Sequence, residues 1–330
     1  MRRRRAWLAA LGAGALAVPF RSLAQPAARV WRVGYIDFGS RQSTLDSGRH
    51  AALLQGLRER GYVEGGNLLL EARYADGKPD RVDGFATELV RLKVDLILTL
   101  GSAASRAAQR ATTSIPIVVI SSPDPVSEGF AASLARPGAN LTGMSNGADD
   151  TVQKLVELLI GAAPRVKHIA VLTNPANGAH ASLLASLKAA ARQTGKQATQ
   201  VNVSKPDEID TRFAGMTRER IDAVIILADA FLFQQRAQIA ALALKHRMPS
   251  IYALAGYAEV GGLMSYGADN ADNFRRAGYF VDKIFKGARA GDVPFEQPLR
   301  YYYMINRMTA DALGIALTDK ILLRADKVIE

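Results

Sequence analysis

Short apolar runs alternate with longer amphipathic ones along most of this chain. The runs at 33–38, 68–74, 95–100 and 117–120 are rich in Val, Ile and Leu and have strand length. Between them, 44–60, 80–92 and 103–112 carry apolar residues at helical spacing. In 44–60, Leu53, Leu54 and Leu57 share one face and Gly61 is placed to end the helix. The run 95–100 is apolar on both faces, which suits a strand covered on both sides, as in a parallel sheet. Strands and helices in this alternation predict an α/β fold with a doubly wound parallel sheet.

The alternation then restarts. A helix is predicted over 149–159, with Val152, Leu155, Val156 and Leu159 on one side. A strand over 168–173, a helix over 180–194 and a strand over 197–203 follow. Next come a helix over 206–216, with Pro206 in its first turn, a wholly apolar strand over 223–228 and a helix over 231–244. Strands at 250–253 and 263–266, a helix over 273–286 and a strand over 300–305 complete the pattern. The two halves echo each other: Asp95-Leu96-Ile97-Leu98 leads through a helix to Ile115-Pro116, and Asp222-Ala223-Val224-Ile225 leads to Met248-Pro249. Two similar sheets side by side predict a cleft, and ligands of such sheets sit outside the carboxyl ends of the strands.

Five strand-end loops are therefore candidates. The first strand ends in Asp37-Phe38-Gly39-Ser40. The third ends in Gly101-Ser102-Ala103 at a helix start, where free N–H groups and the helix dipole favour a carboxylate; Ser102 as a plain N-cap is the alternative. In Ser121-Ser122-Pro123-Asp124-Pro125 the Asp stands between two rings of fixed φ, suited to an amine or hydroxyl or to a rigid solvated turn. Asn174-Pro175-Ala176-Asn177 offers amides, although Asn and Pro also favour turns for their own reasons. Asp229, after a buried strand, could cap the next helix, bind a ligand cation, or both.

Composition narrows the function. The chain has 330 residues, 48% of them hydrophobic, enough for two domains with real cores. The net charge of +11 is inflated by Arg2 to Arg5, which open a segment reading as a signal peptide: a basic start, an apolar stretch from Ala6 to Val18 and small residues at Ser22-Leu23-Ala24. Cleavage after Ala24 would leave a net charge of +6, since five arginines leave with it. Arg4-Arg5-Ala6-Trp7-Leu8 also resembles a twin-arginine signal, with the general Sec route and an uncleaved anchor as alternatives. The remaining charges are spread out, with no basic-aromatic patch for nucleic acid. There is no cysteine, hence no disulfide, thiolate metal site or lipidated N-terminus, and His50, His168, His180 and His246 lack metal-ligand spacing. No cofactor is expected, since neither a P-loop nor G-x-G-x-x-G is present. Gly143-Met144-Ser145-Asn146-Gly147 fits G-x-S-x-G, which would make Ser145 a nucleophile. However, the residues before it are short and polar and the helix starts too late, so a crossover between lobes is the better reading.

Several stretches together resemble the ABC-transporter substrate-binding family that includes tryptophan- and tyrosine-uptake proteins. They include Gly56-Leu57-Arg58-Glu59-Arg60-Gly61-Tyr62, Ile115-Pro116-Ile117-Val118, Asp124-Pro125-Val126, Arg136-Pro137-Gly138-Ala139-Asn140-Leu141-Thr142-Gly143 and Gly262-Leu263-Met264-Ser265-Tyr266-Gly267. Ser40-Arg41-Gln42-Ser43 and Gly101-Ser102-Ala103 stand where a His-Pro loop and Gly-Thr-Pro are commoner in that family. The resemblance implies a type I periplasmic-binding-protein fold, two doubly wound parallel-sheet lobes joined by a three-segment hinge. Lobe one would be 30–143 plus 267–297 and lobe two 144–266 plus 298–330. It implies a ligand site at Ser40, Ser102, Ala103, Asp124, Asn174, Asn177, Asp229 and Tyr266. The function implied is that of a monomeric periplasmic protein which closes on a small molecule, such as an amino acid or aromatic carboxylate, and delivers it to an ABC permease. A sensor subunit for a receptor kinase and an exported hydrolase using Ser145 are the alternatives.

Overall fold

The computed structural model describes residues 29–330; the predicted signal segment, 1–24, lies outside the described residues. The chain builds two sheets in succession. The first holds β1 (Trp31–Asp37), β2 (Leu68–Tyr74), β3 (Leu96–Leu100), β4 (Ile117–Ser122) and β5 (Leu141–Ser145), all parallel, in the order β2-β1-β3-β4-β5. Every residue of β3, β4 and β5 is buried, which explains their unbroken apolar or small-residue character. Their helical cover includes α1 (Arg41–Asp46), α2 (Arg49–Arg58), α3 (Pro79–Arg91) and α4 (Ser102–Ala111).

After α5 (Ala148–Ala162), the second sheet gathers β6 (His168–Thr173), β7 (Gln197–Asn202), β8 (Ala223–Ile226), β9 (Ser250–Tyr252) and β10 (Met264–Gly267). These run β7-β6-β8-β9-β10, the same winding as the first sheet. The sequence echo noted above thus falls on topologically equivalent strands, β3 to β4 and β8 to β9. Connecting helices are α6 (His180–Gln193), α7 (Glu208–Arg218), α8 (Ala230–Gln234) and α9 (Arg236–Lys245).

The chain then returns to the first sheet. Helix α10 (Asn270–Phe285) packs on α2 and along β4 and β5. At the α2–α10 crossing a Cβ on Gly56 would stand 1.9 Å from the Arg275 carbonyl oxygen, and one on Gly278 would stand 2.3 Å from the Gly56 backbone. The segment beyond runs beside β5: Glu296 N–H donates to Gly143 O at 2.9 Å, and Ser145 N–H donates to Glu296 O at 2.8 Å. The chain ends at the second sheet with β11 (Tyr302–Asn306), α11 (Arg307–Leu313), α12 (Asp319–Leu322) and β12 (Lys327–Ile329). There β11 is antiparallel to β10, so the second sheet is parallel apart from this one pairing.

Several sequence expectations change in detail. The helix expected over 44–60 is two helices, broken at Gly48, whose φ of +69° lies in the left-handed region. The helix expected over 231–244 breaks at Gln235, and that over 206–216 begins at Glu208. The crossover expected around 143–147 is partly strand: Gly143 to Ser145 belong to β5, and the chain leaves it through Asn146 and Gly147. Its polar Thr142 is paid for by a hydrogen bond from Oγ1 to Val293 O at 2.7 Å. Two short helices and an edge strand after 306 had no periodicity to announce them.

The glycine crossing is testable. Gly278→Ala should force α2 and α10 apart and lower stability by about 1–3 kcal/mol or more, because overpacking against backbone has no rotamer escape. Urea unfolding measures this, and an unchanged midpoint would mean that the helices do not meet there.

Candidate functional site

The loops that follow the strands of one sheet meet those that follow the strands of the other. Gly101, at the end of β3, lies so close to Ala230 at the start of α8 that a Cβ on the glycine would be 2.7 Å from the alanine methyl. Around this contact lie three chambers that share walls. The central one, about 20 Å³, has room for about one water molecule and is lined by Arg49, Ser102, Asn146, Asn177, Asp229 and Asn270 among others. A second, about 90 Å³, adds Phe38, Ala103 and Asn174. A third, about 260 Å³, opens past Arg49, Phe233 and Arg236.

The side of the cleft formed by the second sheet is internally braced. Asp229 is the N-cap of α8, its carboxylate accepting from Leu232 N–H at 2.9 Å. It also accepts from Asn177 Nδ2 at 3.0 Å and from Asn174 Nδ2 at 3.3 Å, so the loop after β6 is tied at two points to the loop after β8. His180 ties them again. Asn174 N–H donates to its Nδ1 at 2.9 Å, which leaves Nε2 to carry the proton and donate to Ala228 O at 3.1 Å. This fixes the neutral tautomer. Burial lowers the pKa of the ring below its ordinary value, with the Asp229 charge and the two backbone bonds pulling the other way.

The opposite wall is less committed. Asp37 is fully buried and occupied, accepting from Tyr35 O–H and Thr44 O–H at 2.6 Å each and from Gly39 N–H at 2.7 Å. Asn146 pairs with Ser121, and Asn273 Nδ2 donates to Asn146 Oδ1 at 3.1 Å. By contrast, Ser102 Oγ and Asn270 Oδ1 are buried without a hydrogen-bond partner. Glu128, close to Ser102, has its pKa raised by burial, and it accepts from Ser122 O–H at 2.5 Å. The Ser102 hydroxyl is near enough to favour the Glu128 charge, but no hydrogen bond of normal geometry closes between them.

A sequence model of the family described as ABC transporter substrate binding protein matches residues 43–329. The chain belongs to that family. This substrate-binding protein is the solute-binding component of an ABC importer, and its partners are a small molecule and an ABC permease. It is similar to a tyrosine-binding protein of Clostridioides difficile, 25% identical over 262 residues, which are 79% of this chain and 75% of that one. Among solved structures it is similar to a conserved domain protein from Vibrio cholerae, with a TM-score of 0.84 and 27% identity, over 91% of this chain and 100% of that one. It is similar also to a domain from Streptococcus pneumoniae in complex with L-Trp, with a TM-score of 0.84 and 25% identity over the same shares. The two lobes are those of the type I periplasmic-binding-protein fold.

Of the residues singled out in the sequence, Ser102, Ala103, Asn174, Asn177 and Asp229 line the chambers of the substrate-binding protein. Ser40, Asp124 and Tyr266 do not. Ser40 caps α1, accepting from Ser43 N–H. Asp124 folds back on its own turn, accepting from Val126 and Ser127 N–H. Tyr266 packs against Tyr301 and Tyr303 at 5.8 and 6.5 Å between ring centroids. Ser145 is buried in β5, its Oγ accepting from Gly147 N–H, and Gly143 of the same motif is there because a Cβ would stand 2.0 Å from Val119 O. Sequence reasoning missed Arg49, Phe233 and Asn270; Gly48, a glycine inside an expected helix, was the one signal that a second helix opens at Arg49.

Replacing His180 by Ala strips partners from the buried Asn174 N–H and Ala228 C=O and should cost about 2–4 kcal/mol. The lowered pKa also predicts a pH dependence. The unfolded chain takes up a proton as pH falls through about 6.5 while the folded ring resists it, so stability is lost on acidification. Urea midpoints at pH 7.5 and 5.5 should differ less in His180→Ala than in the parent; the same midpoint difference in both proteins would refute the assignment.

Proposed function

We propose that this protein captures a small solute bearing a carboxylate, an amino acid or an aromatic acid, by hinge closure, and that it does so as an exported, non-catalytic monomer. The observation that carries the reading is the convergence of strand-end loops from both sheets on adjoining chambers, with Gly101 of one against Ala230 of the other. Closure of this kind removes the ligand from water and adds the second lobe's contacts to the first's. The hinge we propose is the set of three passages near Gly143, Gly267 and Pro298, which divide the chain into 30–143 plus 267–297 and 144–266 plus 298–330. The tyrosine-binding relative and the L-Trp complex support a ligand of amino-acid size. A basic, apolar and then small-residue leader over 1–24 supports export to the periplasm by the Sec or twin-arginine route.

A melting-temperature screen of the exported form against amino acids, small acids and aromatic carboxylates tests this. A ligand at one hundred times its dissociation constant should add about 2.7 kcal/mol of stability. Small-angle scattering with the hit should show a form at least as compact as the ligand-free protein. A screen in which no small solute stabilises the protein would sink the reading.

A further inference from the structure

Arg49 stands apart from the other buried groups of the cleft. It is 5% exposed, yet all its hydrogen bonds go to hydroxyls: Nε to Ser47 Oγ at 2.7 Å, and Nη2 to Thr44 Oγ1 at 3.4 Å and Ser43 Oγ at 3.5 Å. Among the described residues no carboxylate pairs with it and Nη1 donates to nothing. Asp37 lies beyond Thr44 and is occupied by Tyr35, Thr44 and Gly39. Arg49 is also the first residue of α2, where the helix dipole opposes a cation. A buried guanidinium placed against the dipole and left without a counter-charge is costly to keep for packing alone.

What surrounds it resembles a receptor for an anion attached to a flat group. Arg49 lies 5.5 Å from the ring centre of Phe233, which comes from the other lobe, and 5.6 Å from that of Phe274. Arg236 covers Phe233 at 4.6 Å, so two cations flank one ring. Phe233 is steadied edge-on by Tyr257, which in turn stacks on Tyr252. Arg49, Phe233 and Asn270 belong to both the central and the 260 Å³ chamber, a volume above the ~150 Å³ that holds benzene in an apolar cavity. Acidic residues also reach that larger chamber, but each is engaged elsewhere: Asp46 with Gln42, Glu259 with Lys327, Asp269 with the start of α10.

We propose that Arg49 is the anion-recognition residue of the cleft, taking the ligand's carboxylate through its free Nη1, so that the protein selects small organic acids over their neutral counterparts. The unpartnered Asn270 Oδ1 then accepts from an amine or hydroxyl next to that carboxylate, and the ligand's apolar part lies toward Phe233. This rests on the reading that the cleft captures a solute, and it moves the carboxylate from the start of α4 to the start of α2.

Two measurements test it. Calorimetry compares L-tyrosine, L-tryptophan and benzoate with tyrosinamide, tryptophanamide and benzamide. The acids should bind and the amides should bind far more weakly, and Arg49→Gln should weaken the tightest acid by about thirty-fold or more, with Arg49→Lys in between. An Arg49→Gln protein within about threefold of the parent, or an amide that binds as well as its acid, would overturn the proposal. Separately, ligand-free Arg49→Met should melt at or above the parent, since an uncompensated charge is removed. A fall of more than about 4 °C would mean that Arg49 is a structural partner of the Thr44–Asp37 cluster, and would also overturn it. If no acid in the set binds, the solute reading is at fault, while the melting comparison still judges Arg49.

Discussion

The contact between Gly56 and Gly278 carries more of the architecture than any side-chain cluster. Helix α10 is made after the second sheet is nearly complete, yet it belongs to the first, and its backbone lies against that of α2 with only hydrogens between. Because neither helix has a side chain to reposition there, the crossing is fixed by geometry rather than by a choice of rotamers. Once α10 is docked, the segment ending at Glu296 is drawn alongside β5, and the chain has to cross to the second sheet again for β11. Two lobes that each contain separate stretches of the chain follow directly from that one docking event.

The two walls of the cleft differ in how their polar groups are spent. On one, Asp229, Asn174, Asn177 and His180 satisfy one another, and the carboxylate most attractive as a ligand partner in the sequence already ties two loops together and caps a helix. On the other, among the described residues, Ser102 and Asn270 keep buried atoms with nothing to bond, and Arg49 bonds only to hydroxyls. A preassembled face and a face with unmet demand divide the work: the first sets shape, and the second supplies affinity that only an added molecule can release.

Much of this was legible in the chain. Strand β8 is wholly apolar and β3 is so apart from Thr99, and that alone placed them in covered parallel sheets with their tips at a shared gap. Loops were harder, since Asn, Asp, Ser and Pro serve turns and ligands with the same atoms. Ser40 and Asp124 turned out to hold their own backbone, while Ser102 and Asn177, chosen on similar grounds, line the chambers. Strand β5 was hidden because its Thr142 looks polar until the Val293 carbonyl, far along the chain, accepts its hydrogen bond. Arg49 was hidden because an uninterrupted helix through Gly48 would leave it one of many basic residues on a surface.

The near-touching of Gly101 and Ala230 carries a further consequence for how such a clamp is tuned. The two lips meet on a hydrogen and a methyl, two of the smallest groups a chain can offer, so the closure proposed above would run almost to backbone contact. Bulk added at either lip would act as a spacer, holding the jaws ajar by a set amount without touching the residues that read charge. Bite depth and chemical taste therefore sit on separate parts of the same mouth, and each can drift while the other is kept.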